Sequence, residues 1–309
     1  MEENNFDKNT GLVVLNLTLI CLVFSFGFMI YKFKSNQNVV VENIIKENKR
    51  VVLDKNKIKA KAVIVYDVNS GDILYGKNIN DILPLASLVK IMTAYTARNL
   101  SDPDTVVSVS KSDLSEEGDS GLLVGESWKL KDILDFSLVV SSNDASKMVA
   151  NSIGALSLGK DNPEDLFIKK MNDISAQEGL NTLIFNNETG LDKGDSVGGQ
   201  GSVKDIAKLV SLSLKKYPDI FEKTSFPNSQ ISSLNKVHRA SNTNDYVSQI
   251  SGIVGSKTGF TDRAGGNLMT VFNVGLNRQI VTVVLGSTLN GRFEDMVYIT
   301  KETIDQLSD

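Results

Sequence analysis

The stretch that most constrains this chain is Pro84-Leu85-Ala86-Ser87-Leu88-Val89-Lys90-Ile91-Met92-Thr93-Ala94-Tyr95. After Pro84 the residues turn apolar, and the pattern predicts a helix running to about Leu100. Ser87 falls where that helix starts, a position favoured for side chains that bond an early backbone N–H. Lys90 lies one turn further on, which brings its amine onto the face of the Ser87 hydroxyl. A hydroxyl beside an amine suits a serine nucleophile with a base, and a helix N-terminus adds partial positive charge where an oxyanion develops. Ser-x-x-Lys alone says little, because it starts at Ser87, Ser108, Ser157, Ser213 and Ser233. Ser87 stands apart because it heads an apolar helix. Downstream of it come Ser141-Ser142-Asn143 and then Lys257-Thr258-Gly259, the only Lys-Thr-Gly in the chain.

The segments around these three elements read as β, then helical, then β again. Ala62–Val68 and Ile73–Gly76 are predicted strands joined by a turn in which Gly71 supplies positive φ. From about 101 to 225 the periodicity is mostly helical, over Leu130–Val140, Asp144–Ile153, Glu164–Glu178 and Val203–Lys216. Ser141 and Asn143 fall in the break between the first two. Ile250–Phe260, Asn267–Val274 and Gln279–Gly286 read as three more strands, and Arg292–Leu307 as a closing helix. The expected fold class is therefore mixed α/β (α+β), with a helical lobe inserted between strands.

The amino-terminal end is different. Residues 1–10 form a short polar tail. Gly11 to Ile30 is a run of twenty residues without a charge. As a helix it would span about 30 Å, enough for a bilayer core. Tyr31-Lys32-Phe33-Lys34 offers no small-residue cleavage site, so the expectation is a retained membrane anchor over residues 11–31. Residues 32–58 read as a polar tether and residues 59–309 as the folded domain. With one cysteine (Cys21) and one histidine (His238), neither a disulfide framework nor a His/Cys metal site is expected. No cofactor and no metal is implied. A net charge of −4 gives no reason to expect nucleic acid as a partner.

Taken together, these residues resemble the D-alanyl-D-alanine carboxypeptidases, the low-molecular-mass penicillin-binding proteins of bacterial cell-wall metabolism. The likeness runs from about residue 59 to 300. Beyond the three motifs it includes Ser120–Glu126, Asn187-Glu188-Thr189-Gly190-Leu191-Asp192, Gly255–Asp262, Ala264-Gly265 and Arg292-Phe293-Glu294-Asp295. The resemblance implies a five-stranded antiparallel sheet with helices on both faces and a mostly helical lobe, the site lying between them. It also implies attack by serine on the penultimate D-Ala of a peptidoglycan stem peptide, release of terminal D-Ala, and hydrolysis of the acyl-enzyme. β-Lactams would act as covalent inhibitors. One departure is Ser142, where the family more often has Gly; little effect is expected, because the flanking side chains carry the chemistry.

By motif match Ser87 is the nucleophile and Lys90 the base. A free lysine has a pKa of about 10.4, so burial and a second cation, for which Lys257 is the candidate, are needed to favour the neutral amine. Ser141 would relay a proton toward the leaving amine, and Asn143 would bond the substrate amide and steady Lys90. Lys257 and Thr258 would hold the terminal carboxylate. Gly259 would let the strand approach the ligand, and the N–H groups of Ser87 and Phe260 would form the oxyanion hole.

Other readings compete. Gly194-Asp195-Ser196-Val197-Gly198 matches a nucleophile elbow, which needs a strand before it and a helix after it. His238 lacks a partner pattern and reads as a surface or structural residue, and Trp128 as core. A class A β-lactamase would need a Glu-x-x-Leu-Asn loop, and Glu178-Gly179-Leu180-Asn181 is one residue short of it. A silent peptidoglycan-binding domain is the remaining alternative. Topology is contested too. Lys32, Lys34, Lys46, Lys49 and Arg50 follow the apolar run, which by the positive-inside rule would keep the domain in the cytoplasm. The implied substrate lies outside the bacterial cell membrane, so the expectation is a single-pass protein with residues 32–309 extracytoplasmic.

Overall fold

The computed structural model describes residues 25–34, 50–115, 117–118, 120–276 and 278–308. They fall into two units, residues 1–50 and 51–309. In the first, residues 25–34 are helical and exposed. Residues 11–24 of the expected anchor and 35–49 of the expected tether lie outside the described residues. Among the described residues no helix is long and apolar enough to cross a membrane.

The second unit is built on a five-stranded antiparallel sheet, as expected. Its strands are β1 (Ala62–Asp67), β2 (Ile73–Lys77), β3 (Ile253–Thr261), β4 (Gly265–Val274) and β5 (Arg278–Ser287). They lie in the order β3-β4-β5-β1-β2, which places the first hairpin beside the last strand and makes β3 an edge. Strand side chains alternate between faces, and here both faces are covered. Ala62, Ile64, Met269, Val271, Val281 and Val283 enter one buried cluster. Val63, Val65, Leu268, Phe272, Ile280 and Val284 enter the other. This is why β1, β4 and β5 are apolar almost without interruption.

Among the described residues the unit also holds the α-helices α1 (Val89–Leu100), α2 (Leu130–Val140), α3 (Asn143–Ser157), α4 (Pro163–Gln177), α5 (Val203–Lys216) and α6 (Gly291–Leu307). α2, α3 and α4 belong to the lobe expected over about 101–225, which also holds short paired strands, such as Val106–Ser108 with Ser127–Lys129. α1 and α5 contribute to the first cluster, and α6 to the second through Phe293, Met296 and Ile299.

The compact unit starts at Val51, eight residues before the Lys59 expected from sequence. Val51, Leu53 and Ile58 are buried in the second cluster. Burying an aliphatic side chain of this size is worth about 1.5–3 kcal/mol. The Val51 N–H donates to Leu74 O at 3.0 Å, and the Val52 N–H to the Gln306 side chain at 2.8 Å. Part of the segment read as a tether is therefore packed on the sheet.

Candidate active site

Ser87 does not open α1 directly. It sits in a single 3-10 turn, Ala86–Leu88, and the α-helix begins at Val89. The chain enters that turn through Ala86, whose φ of +48° lies in the left-handed region. Such a conformation persists only when its surroundings hold it. Leu85 N–H donates to Gly199 O at 2.9 Å, and the Asn267 amide on β4 donates to Pro84 O at 2.9 Å and Leu85 O at 3.0 Å. Gly190, at φ +84°, packs so closely that a Cβ there would fall 2.0 Å from Ala86 O. The expected N-cap bond is not made by Ser87; its half-buried hydroxyl instead accepts from Lys90 Nζ at 3.0 Å.

The Lys90 amine is buried at the centre of a set of acceptors. It donates to Asn143 Oδ1 at 2.7 Å and to Thr189 O at 2.7 Å, as well as to Ser87. Thr189 is presented by a turn that the Asn187 carboxamide organises, its Oδ1 accepting from the N–H groups of Thr189 and Gly190 at 3.2 and 2.7 Å. One turn along α1, Thr93 Oγ1 fastens the same segment at Glu188 O, 2.7 Å away.

The opposite wall repeats the lysine–serine pairing. Ser141 ends α2 in the left-handed conformation, φ +61°. Its Oγ accepts from Lys257 Nζ at 2.7 Å, and that amine also donates to Thr258 O at 2.9 Å. Ser142 is buried and caps α3, its Oγ accepting from Ala145 N–H at 3.0 Å and pairing with Ser120 Oγ at 2.6 Å. The side chain at this position therefore has a structural task that motif matching did not reveal. Asn143, the first residue of α3, turns its Nδ2 to Glu117 O at 2.6 Å. Thr258 Oγ1 pairs with Thr243 Oγ1 at 2.6 Å.

β3 runs between these walls as the sheet edge. A Cβ on Gly259 would approach Leu85 O to 2.9 Å and Ser87 N to 3.2 Å, so glycine is what lets the strand lie against the serine turn. Phe260 is exposed, and with Glu117, Asn143, Leu191 and Asp192 it lines an open cleft of about 560 Å³. Burial, then the Lys90 charge, then Arg292 hold the Lys257 amine well below its ordinary pKa.

Ser87, Lys90 and Asn143 therefore form one bonded chain, and Ser141, Lys257 and Thr258 a second, with the Gly259-Phe260 backbone beside Ser87. Sequence reasoning assigned no role to Thr189, Asn267, Thr243 or Arg292. The signal available for Thr189 was the Asn187-Glu188-Thr189-Gly190 run, a turn-forming side chain before a glycine.

The competing motifs lie elsewhere. Lys193 and Ser196 pair across a tight turn, and the next helix starts only at Val203, so the Gly194–Gly198 elbow is absent. Glu178 caps the end of α4 and accepts from Tyr95 OH at 3.3 Å. His238 is buried, not on the surface, against Trp128 and Phe136, with its Nε2 2.5 Å from Glu126 Oε1.

A buried lysine on a helical serine, a second serine–lysine pair and a glycine-bearing sheet edge define a serine acyl-transfer site of the penicillin-recognising kind. A family model described as D-alanyl-D-alanine carboxypeptidase matches residues 48–288, and the chain belongs to that family. It is 26% identical over 233 residues to the D-alanyl-D-alanine carboxypeptidase DacB2 of Mycobacterium tuberculosis, covering 75% of this chain and 77% of that protein. It is 30% identical over 237 residues to DacF of Bacillus subtilis, covering 74% of this chain and 58% of that longer protein. Among solved structures it is similar to penicillin-binding protein D2 of Listeria monocytogenes in its ampicillin-bound form. That match has a TM-score of 0.66 and 28% identity, and covers 80% of this chain and 98% of the other.

Proposed function

We propose that the chain removes the terminal D-alanine from peptidoglycan stem peptides through an acyl-enzyme on Ser87. The observation that carries this reading is the 3.0 Å contact between Lys90 Nζ and Ser87 Oγ, with the Ser141–Lys257 pair facing it across the cleft. In its neutral form Lys90 takes the Ser87 proton as Oγ attacks the carbonyl carbon of the penultimate D-Ala. The N–H groups of Ser87 and Phe260 receive the oxyanion. Collapse of the tetrahedral adduct breaks the peptide bond, and the leaving amine takes a proton from the Ser141 hydroxyl, which Lys257 resupplies. Lys257 and Thr258 hold the terminal carboxylate, whose negative charge draws the Lys257 pKa back up and so favours the protonated donor. Asn143 bonds the substrate amide once Glu117 O gives up its Nδ2. Water then hydrolyses the ester. β-Lactams would acylate the same serine.

We further propose that residues 11–31 anchor the protein in the bacterial cell membrane, that residues from 32 to about 50 act as the tether, and that the catalytic unit is extracytoplasmic, where assembled peptidoglycan lies. The activity is tested by D-alanine release from a peptide ending in D-Ala-D-Ala, alongside turnover of penicillin. Peptide hydrolysis with slow penicillin turnover is expected, and the reverse would make the chain a β-lactamase. Protease added to intact spheroplasts should cleave the domain; survival until lysis would refute the topology.

A further inference from the structure

Arg292 is the second residue of α6, and its side chain runs back over the sheet to the end of β3. Its Nη1 donates to the Gly259 carbonyl at 2.8 Å, and the residue is buried. It lies on the β4 side of that strand. Gly266 pairs with Phe260 across the β3–β4 ladder, and a Cβ at Gly266 would lie 3.2 Å from Arg292 Cδ. β3 is the edge strand, and the Ser87 turn packs over it at Gly259, where a Cβ would meet Leu85 O and Ser87 N. In a planar trans peptide the carbonyl and the following N–H point in opposite directions. A Gly259 carbonyl held at Arg292 on the β4 side therefore turns the Phe260 N–H away from β4, toward the open edge of the sheet. Position 259 has to be glycine for the close approach to Leu85 O, and glycine also leaves the peptide after it free to rotate. The β3–β4 ladder restrains that freedom, and the Arg292 bond to the Gly259 carbonyl adds a second hold from outside the strand.

We propose that Arg292 is a positioning residue for acyl transfer, fixing the 259–260 peptide so that the Phe260 N–H meets the oxyanion. Asn267, opposite Gly259 on β4, holds the other side of the same gap through Pro84 O and Leu85 O. The inference rests on the reading of Ser87 as nucleophile. D-alanine release by the wild type, lost in Ser87→Ala, tests that reading independently of any Arg292 variant.

The test compares Arg292→Met, which keeps an apolar stem, with Arg292→Lys, which keeps a donor and a charge. Three quantities are measured per folded molecule: kcat, KM, and the affinity of a peptidyl boronic acid whose boron replaces the penultimate carbonyl carbon. Its tetrahedral adduct places an oxygen where the oxyanion forms. In Arg292→Met, kcat and boronate affinity should fall together, by about 10- to 100-fold, with KM held within about twofold. Arg292→Lys should recover at least part of both. If Arg292→Met does not fold, Arg292→Gln is read by the same ratio. Unchanged kcat per folded molecule, a raised KM with kcat intact, or undiminished boronate affinity would each overturn the proposal.

Discussion

The two walls of the cleft carry the same pair of residues and use them differently. On one wall Lys90 donates to Ser87, Asn143 Oδ1 and Thr189 O; on the other Lys257 donates to Ser141 and Thr258 O. Both amines are buried. Ser87 precedes the N-terminus of α1, where partial positive charge favours an anion. Ser141 ends α2 in a left-handed turn and, like Ser87, stands one residue ahead of the N-cap of the next helix. The helix dipole therefore does not separate the two serines. Their bonding does: the amine on Ser87 is also tied to Asn143 Oδ1 and Thr189 O, whereas the amine on Ser141 is tied to Thr258 O.

The sharpest way to break this contrast is to remove each amine in turn. Lys90→Ala should lower acylation by penicillin about a thousandfold at neutral pH, in stopped-flow or gel assays, because among the described residues Lys90 is the base bonded to Ser87. Lys257→Ala should cost less, about a hundredfold in kcat/KM, with the loss concentrated in substrates that carry a free terminal carboxylate. Converting that carboxylate to an amide should slow the wild type strongly and the Lys257→Ala variant little. Equal effects of the two lysine variants on acid and amide would erase the distinction between the walls.

A pH series tests the burial of Lys257. The folded amine is held well below its ordinary 10.5, so between those values the unfolded chain binds the extra proton. Stability therefore rises with pH across that window, and the full penalty is present below the folded value. In Lys257→Met the penalty is absent, so the Tm advantage of the variant over wild type should shrink as pH rises from about 7 to 10. A difference independent of pH would contradict the burial. The smallest effect is expected at Ser142. Ser142→Ala removes the cap of α3 and should cost about 1 kcal/mol by denaturant unfolding, whereas Ser142→Gly costs a few tenths.

Most of the sheet was legible because strands buried on both faces leave long apolar runs, as in Val63-Ile64-Val65 and Ile280–Leu285. The site motifs were legible because side chains carry them. What escaped was held by backbone. Thr189 contributes a carbonyl, Ala86 a left-handed turn, and Asn267 and Arg292 bond main-chain oxygens, those of Asn267 more than 100 residues away. No periodicity records such pairings. Val51 and Leu53 were missed for another reason. Three apolar residues, Val51-Val52-Leu53, between charged neighbours are too short a run to signal a strand or helix, and only the surface of the sheet shows where Val51 and Leu53 pack.

The claim that Ser87, and not Ser141 or Ser196, is the nucleophile can be tested at a single residue. The folded chain is incubated with labelled penicillin, digested, and the adduct located by mass spectrometry. One adduct on the peptide that contains Ser87, absent from an equally stable Ser87→Ala variant, is the predicted result. An adduct on any other serine, or none on folded wild-type protein, would contradict it.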